Sequence, residues 1–514
     1  MVGIRRRWDW LAAEPVLESK QLAGDQPGGQ QHQTADDYVC HVGSALSAGS
    51  SLRPARPNPL ASSGSTGRPP RSWSPTTDRL RTVVAPDDPL SADDARILNL
   101  ESDSITGHTL KLVILEPGTV PLDLDTLRSA VEQRLATQPR ATQRVDMTGG
   151  DPRWVAAGAF EITDHIRRVP APDAATDADL WRIVSGLMSQ HLDRTRPLWA
   201  FDVIGPLANG REAIAVRIHH AMADGIACVG FLESVLFDTG PDSPEPGGHR
   251  TGLKPTAAPL SRGGEALRMP GALVRELGHR VSHSPFDRPI TVARELAFIA
   301  VPLAEMKEIG ASRSGGATVN DVLLAIIAGG LREWLPADES RARHLRAQVP
   351  VSLHHRDAAD GAAGNHDSFI NIDLPLGQAD PLIRLDLISS ETTRRKRLDD
   401  AGQMYDLFHA LGRVKVIDRA VQHLAGSASE FSLAISNVPG PGYPVRVSDR
   451  VVQHLFSSSE PGTHHALRIS AISCSGAIGI GLCTDPSALP DIAGLTDAIG
   501  RAYSELRDAA IGPA

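Results

Sequence analysis

Cysteine is scarce in this chain. Four cysteines serve 514 residues, at positions 40, 228, 474 and 483, and no two form a C-x-x-C pair. Thiols this sparse argue against a disulfide framework or a cysteine-rich zinc site and fit a reducing cytoplasm. Long apolar runs are missing as well. No stretch of about 18 apolar residues is present, so no membrane-spanning helix is expected. Met1–Leu11 carries three arginines but no apolar segment after them, so a signal peptide is not expected either. Positive charge is not in excess. The formal net charge is -9, and no nucleic-acid partner is expected. The G-x-S-x-G elbow of serine hydrolases is absent. The glycine-rich run Gly476–Leu482 lacks the Lys-Ser/Thr of a phosphate loop and reads as a strand of small residues.

What remains is a globular composition, 41% hydrophobic and 22% charged, long enough for two or three domains or for two and a tail. The first 86 residues differ from the rest. Leu52–Thr77 is heavy in Pro, Ser, Gly and Arg, a composition that cannot bury enough apolar surface to offset ordering entropy, so residues 1–86 are expected to be a disordered tail. Periodic elements begin near Ser91, a plausible helix cap. A Pro/Gly-rich stretch at 239–289 reads as a crossover linker. It divides a first half, 87–238, from a second, 290–510.

The densest chemistry lies at His219-His220-Ala221-Met222-Ala223-Asp224-Gly225. Ala213–Ile218 before it is β-branched and reads as a buried strand. Side chains alternate faces along a strand. His220 therefore shares a face with Ile214, Val216 and Ile218, while His219 points the other way, beside Arg217. Only one of the two can enter a given cavity, and the expected one is His220. A helix is expected over Gly225–Phe237, with Asp224 at its N-cap. A neutral imidazole can take a proton from a hydroxyl near neutral pH. An alcohol activated in this way can attack a thioester without a serine or cysteine nucleophile. His219, Asp224 and Gly225 are expected to shape the loop. His464-His465 is a second pair, but it has no Asp-Gly and lies in an expected loop.

HHxxxDG resembles the signature of coenzyme A-dependent acyltransferases and of peptide-synthetase condensation domains. Further segments narrow the resemblance to the bacterial wax ester synthase/diacylglycerol acyltransferase family. They are the Pro89–Asp94 opening, Asp193-Arg194-Thr195-Arg196-Pro197-Leu198-Trp199, Thr318-Val319-Asn320-Asp321-Val322, Pro350-Val351-Ser352, Gly364-Asn365 and Asn437-Val438-Pro439-Gly440-Pro441. Ser284–Asp287 departs from the Leu-Asn pair that the family commonly has there. The likeness spans about 87–507.

It implies an α/β chloramphenicol acetyltransferase-like fold: two halves of mixed sheets with flanking helices around an active-site channel. The reaction it implies is transfer from long-chain acyl-CoA, a co-substrate and not a resident cofactor, to diacylglycerol or a fatty alcohol, with no metal. It suggests substrate-facing roles for Asn320 and Trp199, with a packed corner the alternative for the segment of Trp199 and a helix cap the alternative for Asn320. Contact with a membrane face or lipid bodies would be peripheral. Three other readings stay open: a condensation- or polyketide-type acyltransferase with another donor, an esterase side reaction, and a non-catalytic lipid-binding or scaffold protein.

Overall fold

The computed structural model describes residues 88–149, 151–238, 284–336, 345–352, 367–398 and 431–513, all within the unit Arg79–Ala514. The expected tail, residues 239–283 of the expected linker, and Gly364-Asn365 lie outside the described residues. The first elements are β1 (Asp88–Pro89), α1 (Ala92–Leu100), β2 (His108–Leu115), α2 (Leu124–Arg134), β3 (Gln143–Asp146), β4 (Arg153–Ala156), α3 (Ile162–His165) and β5 (Ile166–Val169). Next come α4 (Asp177–Met188), β6 (Trp199–Ile204), β7 (Glu212–His219) and α5 (Gly225–Val235). Beyond the linker lie β8 (Glu295–Pro302), α6 (Leu303–Ala311), α7 (Val319–Trp334), β9 (Leu345–Ser352), β10 (Asp367–Leu374) and α8 (Pro381–Leu398). The chain continues with β11 (Leu433–Val438), β12 (Arg446–Val447), β13 (Arg450–Ser459), β14 (Leu467–Cys474), β15 (Ala477–Thr484) and α9 (Ile492–Ile511).

These elements build two six-stranded mixed sheets with flanking helices and a small three-stranded sheet, β1-β4-β3. The first large sheet runs β12-β13-β2-β7-β6-β5 and the second β10-β9-β11-β14-β15-β8. β2 and β7 are buried along their whole length, as strands covered on both faces are, and the charged residues they carry, Lys111, Glu212 and Arg217, are buried with them. One face of this pair, with Val113, Ile214, Val216 and Ile218, packs beneath Val229, Leu232 and Val235 of α5. The other, with Leu110, Leu112, Ala213 and Ala215, meets Leu180, Val184 and Leu187 of α4. In the second half, α7 is apolar on nearly every side and buried throughout Asp321–Leu331, so it forms the centre of that core. Thr318 and Asp321 close its N-terminus as a reciprocal capping box.

The two halves expected from the sequence are interleaved. β12 and β13 come from the second half, yet β13 pairs antiparallel with β2, with Ser457 opposite Lys111 and Ser459 opposite Thr109. The Gly-rich strand β15 passes across β13. A Cβ at Gly479 would collide with the Leu455 carbonyl, and one at Gly481 with the Ser457 carbonyl. Small residues here allow backbone to approach backbone, which is the physical meaning of the glycines at 476–481. A proline in the Asp193–Trp199 segment is expected to stop a helix, but no helix reaches Pro197: α4 ends at Met188, and Pro197 lies in the corner formed when Arg196 N–H donates to the Asp193 carbonyl.

Overpacking such a contact costs about 1–3 kcal/mol. Gly479→Ala is therefore expected to lower the urea midpoint by that equivalent. Gly377→Ala, which meets no atom within 4 Å, is expected to leave the midpoint in place. Equal midpoints would show that the sheets do not need the glycine.

Candidate active site

The motif sits where β7 leaves the first sheet. Because β7 ends at His219, the two histidines diverge as alternation requires, and their surroundings differ in kind. The His219 ring is fully buried. Its Nδ1 accepts from the Ala221 backbone N–H at 3.0 Å, which leaves the ring proton on Nε2. Nε2 makes no well-aligned hydrogen bond but lies 2.6 Å from the Glu101 carboxylate. Both ring nitrogens are thus committed, so His219 is not available as a base. Burial alone would raise the Glu101 carboxyl. Contacts with His219 and Arg194 outweigh that and hold it below its ordinary range.

Arg194 belongs to the Asp193–Trp199 segment. Its guanidinium lies 2.5 Å from Glu101 and donates to the Leu98 carbonyl at 2.7 Å. The corner therefore acts on the motif through Glu101. Gly107, at φ +73, closes the back of His219, where any Cβ would strike Nε2. The second half holds that loop in place. Glu460 accepts from Thr106 N–H and Oγ1, both at 2.9 Å, and from Gly107 N–H at 2.7 Å. Arg294 pairs with the same carboxylate at 3.2 Å.

His220 is only partly buried. Its backbone N–H donates to the Gly107 carbonyl at 2.9 Å, yet among the described residues its imidazole makes no hydrogen bond. Burial, and then the charges of Arg468, Lys111 and His219, pull its pKa down to about 3. The ring is therefore neutral at physiological pH, with a nitrogen lone pair free to accept a proton. Lys111 is a charged residue in an otherwise apolar strand. Its Nζ donates to Ser457 Oγ at 2.6 Å and to Thr109 Oγ1 at 3.3 Å. Arg468 sits on β14 opposite Cys483 of β15 and alongside Ala434 of β11. Neither Lys111 nor Arg468 stood out in the sequence reading, although each interrupts an apolar run, which was the available signal. Glu101 carried no such signal.

Asp224 caps α5, accepting from Ala227 N–H at 2.7 Å. Gly225 lies at the seam between the sheets. A Cβ there would stand 3.0 Å from Val438 of β11, so the motif's glycine and the Asn-Val-Pro-Gly-Pro segment meet. The buried Cys228 thiol is pushed up to about 12, chiefly by burial, and supplies no thiolate at neutral pH.

Two other expected site residues lie elsewhere. Trp199 is a core residue at 1% exposure. It stacks on His165 with ring centroids 4.4 Å apart and donates from Nε1 to the Ala141 carbonyl. This is packing in place of the expected substrate contact. Asn320 is partly buried in the first turn of α7, and Thr318, not Asn320, is the cap. α7 packs against α9, α8 and α6. His465 is buried and stacks on Phe431 at 3.9 Å. Asp287 closes a local turn by accepting from Ser284. A separate cavity of about 160 Å³, lined by Ile114, Trp181, Phe298 and Phe456 among others, opens on the face of β2 away from His220. Among the described residues no group of three or more His, Cys, Asp or Glu could hold a metal.

Loss of an N-cap side chain costs about 1 kcal/mol, whereas Asn caps nearly as well as Asp. In urea titrations Asp224→Ala is expected to lose that amount and Asp224→Asn to retain most of it. Identical curves for all three proteins would remove the capping role.

The comparisons with known proteins agree with this geometry. The catalytic domain of the wax ester synthase/diacylglycerol acyltransferase family matches residues 90–282, and the family's C-terminal domain matches residues 363–507. A protein of Mycobacterium tuberculosis H37Rv named as a diacylglycerol O-acyltransferase, tgs1, is 29% identical over 427 residues, 76% of this chain and 90% of its own. Another from the same strain, Rv3087, carries the same activity in its name and is 28% identical over 470 residues, 82% of this chain and 97% of its own. The fold is similar to that of the wax ester synthase/diacylglycerol acyltransferase from Marinobacter aquaeolei VT8, with a TM-score of 0.62 at 22% identity over 82% of this chain and 99% of that one. It is also similar to the first condensation domain of the CDA synthetase, with a TM-score of 0.54 at 16% identity over 83% of this chain and 98% of that one. With both family domains matched in order and the histidine motif seated between the sheets, the chain belongs to the wax ester synthase/diacylglycerol acyltransferase family and is an acyl-CoA-dependent acyltransferase.

Proposed function

We propose that the protein esterifies diacylglycerol with a long-chain acyl group from coenzyme A, giving triacylglycerol, and that long-chain alcohols serve as second acceptors, giving wax esters. The observation that carries the mechanism is the contrast between the two histidines. His219 has both nitrogens committed, and His220 presents a neutral imidazole, unbonded among the described residues, beside the seam of the two sheets. The choice of acceptor is supported by the names of the Mycobacterium tuberculosis relatives.

His220 takes the proton of the acceptor hydroxyl. The oxygen attacks the thioester carbonyl, the tetrahedral intermediate collapses, and His220 returns the proton to the departing thiolate. Glu101, through His219, and Asp224, through the α5 cap, hold the turn from which His220 projects. Donor and acceptor reach His220 along a channel between the two sheets, in a chloramphenicol acetyltransferase-like arrangement, and the protein meets its lipid acceptor by peripheral contact. No helix among the described residues is long and apolar enough to cross a membrane.

Thiol release from palmitoyl-CoA, with dioleoylglycerol, with hexadecanol and without acceptor, tests this reading when the products are separated by thin-layer chromatography. Acceptor-dependent ester formation is expected, falling about 10²–10⁴-fold in His220→Ala. Release that ignores the acceptor would indicate a thioesterase, and a fully active His220→Ala would sink the mechanism. The pH profile adds a second check. A base must be unprotonated to act, and His220 is held well below the ordinary histidine value of about 6.5. The acid limb of kcat/KM is therefore expected well below pH 6.5. A limb near 6.5 would mean that the base is another group, or that His220 is not held down.

A further inference from the structure

Among the described residues Arg468 is a cation without a partner: it makes no hydrogen bond or ion pair with them, and its Nε is sealed from solvent and unbonded. The side chain as a whole is partly buried, and a guanidinium drawn even partly out of water without a partner is costly, so its position calls for an explanation. Strand parity supplies the placement. Along β14, Leu467, Ile469 and Ala471 face the core of the second half, whereas Ile472 and Cys474 join the core beneath α5, together with Ile218 and Val216 of β7. Arg468 has the parity of Ile472, so it faces the first half. Lys111 faces it from the other sheet: Thr109 and Lys111 lie opposite Ile218 and Val216, and Ser457 and Ser459 flank them on β13.

The Gly479 and Gly481 approaches bring these two surfaces together. The result is a small polar seam in an apolar junction. Lys111 Nζ is aimed by Ser457 and Thr109. Ser436 donates to Ser470 at 3.2 Å, beside Arg468. His220 stands at the rim of the seam.

We propose that Arg468, seconded by Lys111, binds the oxyanion formed when the acceptor attacks the thioester. The proposal rests on the reading of His220 as the general base. As the hydroxyl oxygen bonds to the thioester carbon, its proton moves to His220, and the carbonyl electron pair moves onto oxygen as a negative charge. Collapse returns that pair to the carbonyl, breaks the carbon–sulfur bond and delivers the proton from the imidazolium to the thiolate. In the ground state the two cations disfavour a charge on His220, which by itself would weaken the base. In the intermediate the new anion lies among Lys111, Arg468 and the imidazolium, and all three positive charges gain from it. The interaction is stronger in the transition state than before it, which is the condition for catalysis. The phosphates of coenzyme A lie at the far end of the pantetheine arm from the thioester, so they are not the anion that this seam receives.

Arg468→Met, Arg468→Lys and Lys111→Met, made in the full chain and shown to melt like wild type, are to be assayed with palmitoyl-CoA and the neutral acceptor dioleoylglycerol, with His220→Ala alongside. Removing one oxyanion donor costs about 10²–10³ in kcat. A loss of that size is expected for Arg468→Met with little change in KM, a smaller loss for Arg468→Lys, and partial rescue of Arg468→Ala by added guanidinium. The acid limb of kcat/KM is expected to move up in both Arg468→Met and Lys111→Met. The charged groups that set this limb are Arg468 on β14 and Lys111 on β2, facing His220, and His219 next to it in β7, with Asp224 and Cys228 beside Lys111.

An unchanged kcat in Arg468→Met overturns the proposal, as does a loss that appears only in KM or a limb that stays in place. A loss confined to acceptors bearing their own carboxylate or phosphate also overturns it. Should Arg468→Met fail to fold, Lys111→Met carries the same decision through kcat and the acid limb. A fully active His220→Ala would instead remove the mechanism beneath it, which keeps the two failures distinct.

Discussion

The commitment of His219 is the interaction on which the site depends. A backbone N–H occupies one nitrogen and the Glu101 carboxylate faces the other. Because adjacent residues of a strand point to opposite sides, fixing His219 on the Glu101 side directs His220 toward the seam. The holding groups come from distant parts of the chain: Glu101 from the end of α1, Arg194 from the corner before β6, and Glu460 with Arg294 from the second half, acting on the loop at Thr106–Gly107. The motif is therefore the meeting point of segments more than 350 residues apart, as the Thr106–Glu460 hydrogen bond shows (|i−j| = 354).

A second constraint is the interleaving through β13. Two separate sheets would leave His220 at the surface of the first. Because β13 pairs with β2 and lies against β15, the second half brings Arg468, Ser436 and Ser470 to the side on which His220 emerges. Gly225, Gly479 and Gly481 permit this at three points, each because a side chain there would collide with or crowd the opposite strand. The same close approach buries Lys111 at 2% exposure, and burial together with the nearby cations leaves the imidazole neutral.

Much of the scaffold was legible beforehand because it depends on local rules. The period of two in Ala213–Ile218 separated the roles of the two histidines. The cap at Asp224 and the helix that follows it came from patterns within a few residues. Trp199 shows where that reasoning stops. A tryptophan after a Pro-Leu step looks the same whether it faces a substrate or a core, and only the packing of His165, Phe201 and Phe231 around it decides. The β12–β13 excursion into the first sheet was also invisible, since strand pairing across the chain leaves no local mark.

The sequence by itself determined the elements, the histidine motif and, through recurrent segments, the family, because each of these is written in short-range spacing. Tertiary structure alone decided that Glu101 holds His219, that Arg468 and Lys111 face His220, and that the two halves share a sheet. Those relations arise from chain segments brought together by burial, and a buried charge gains its meaning only from what surrounds it.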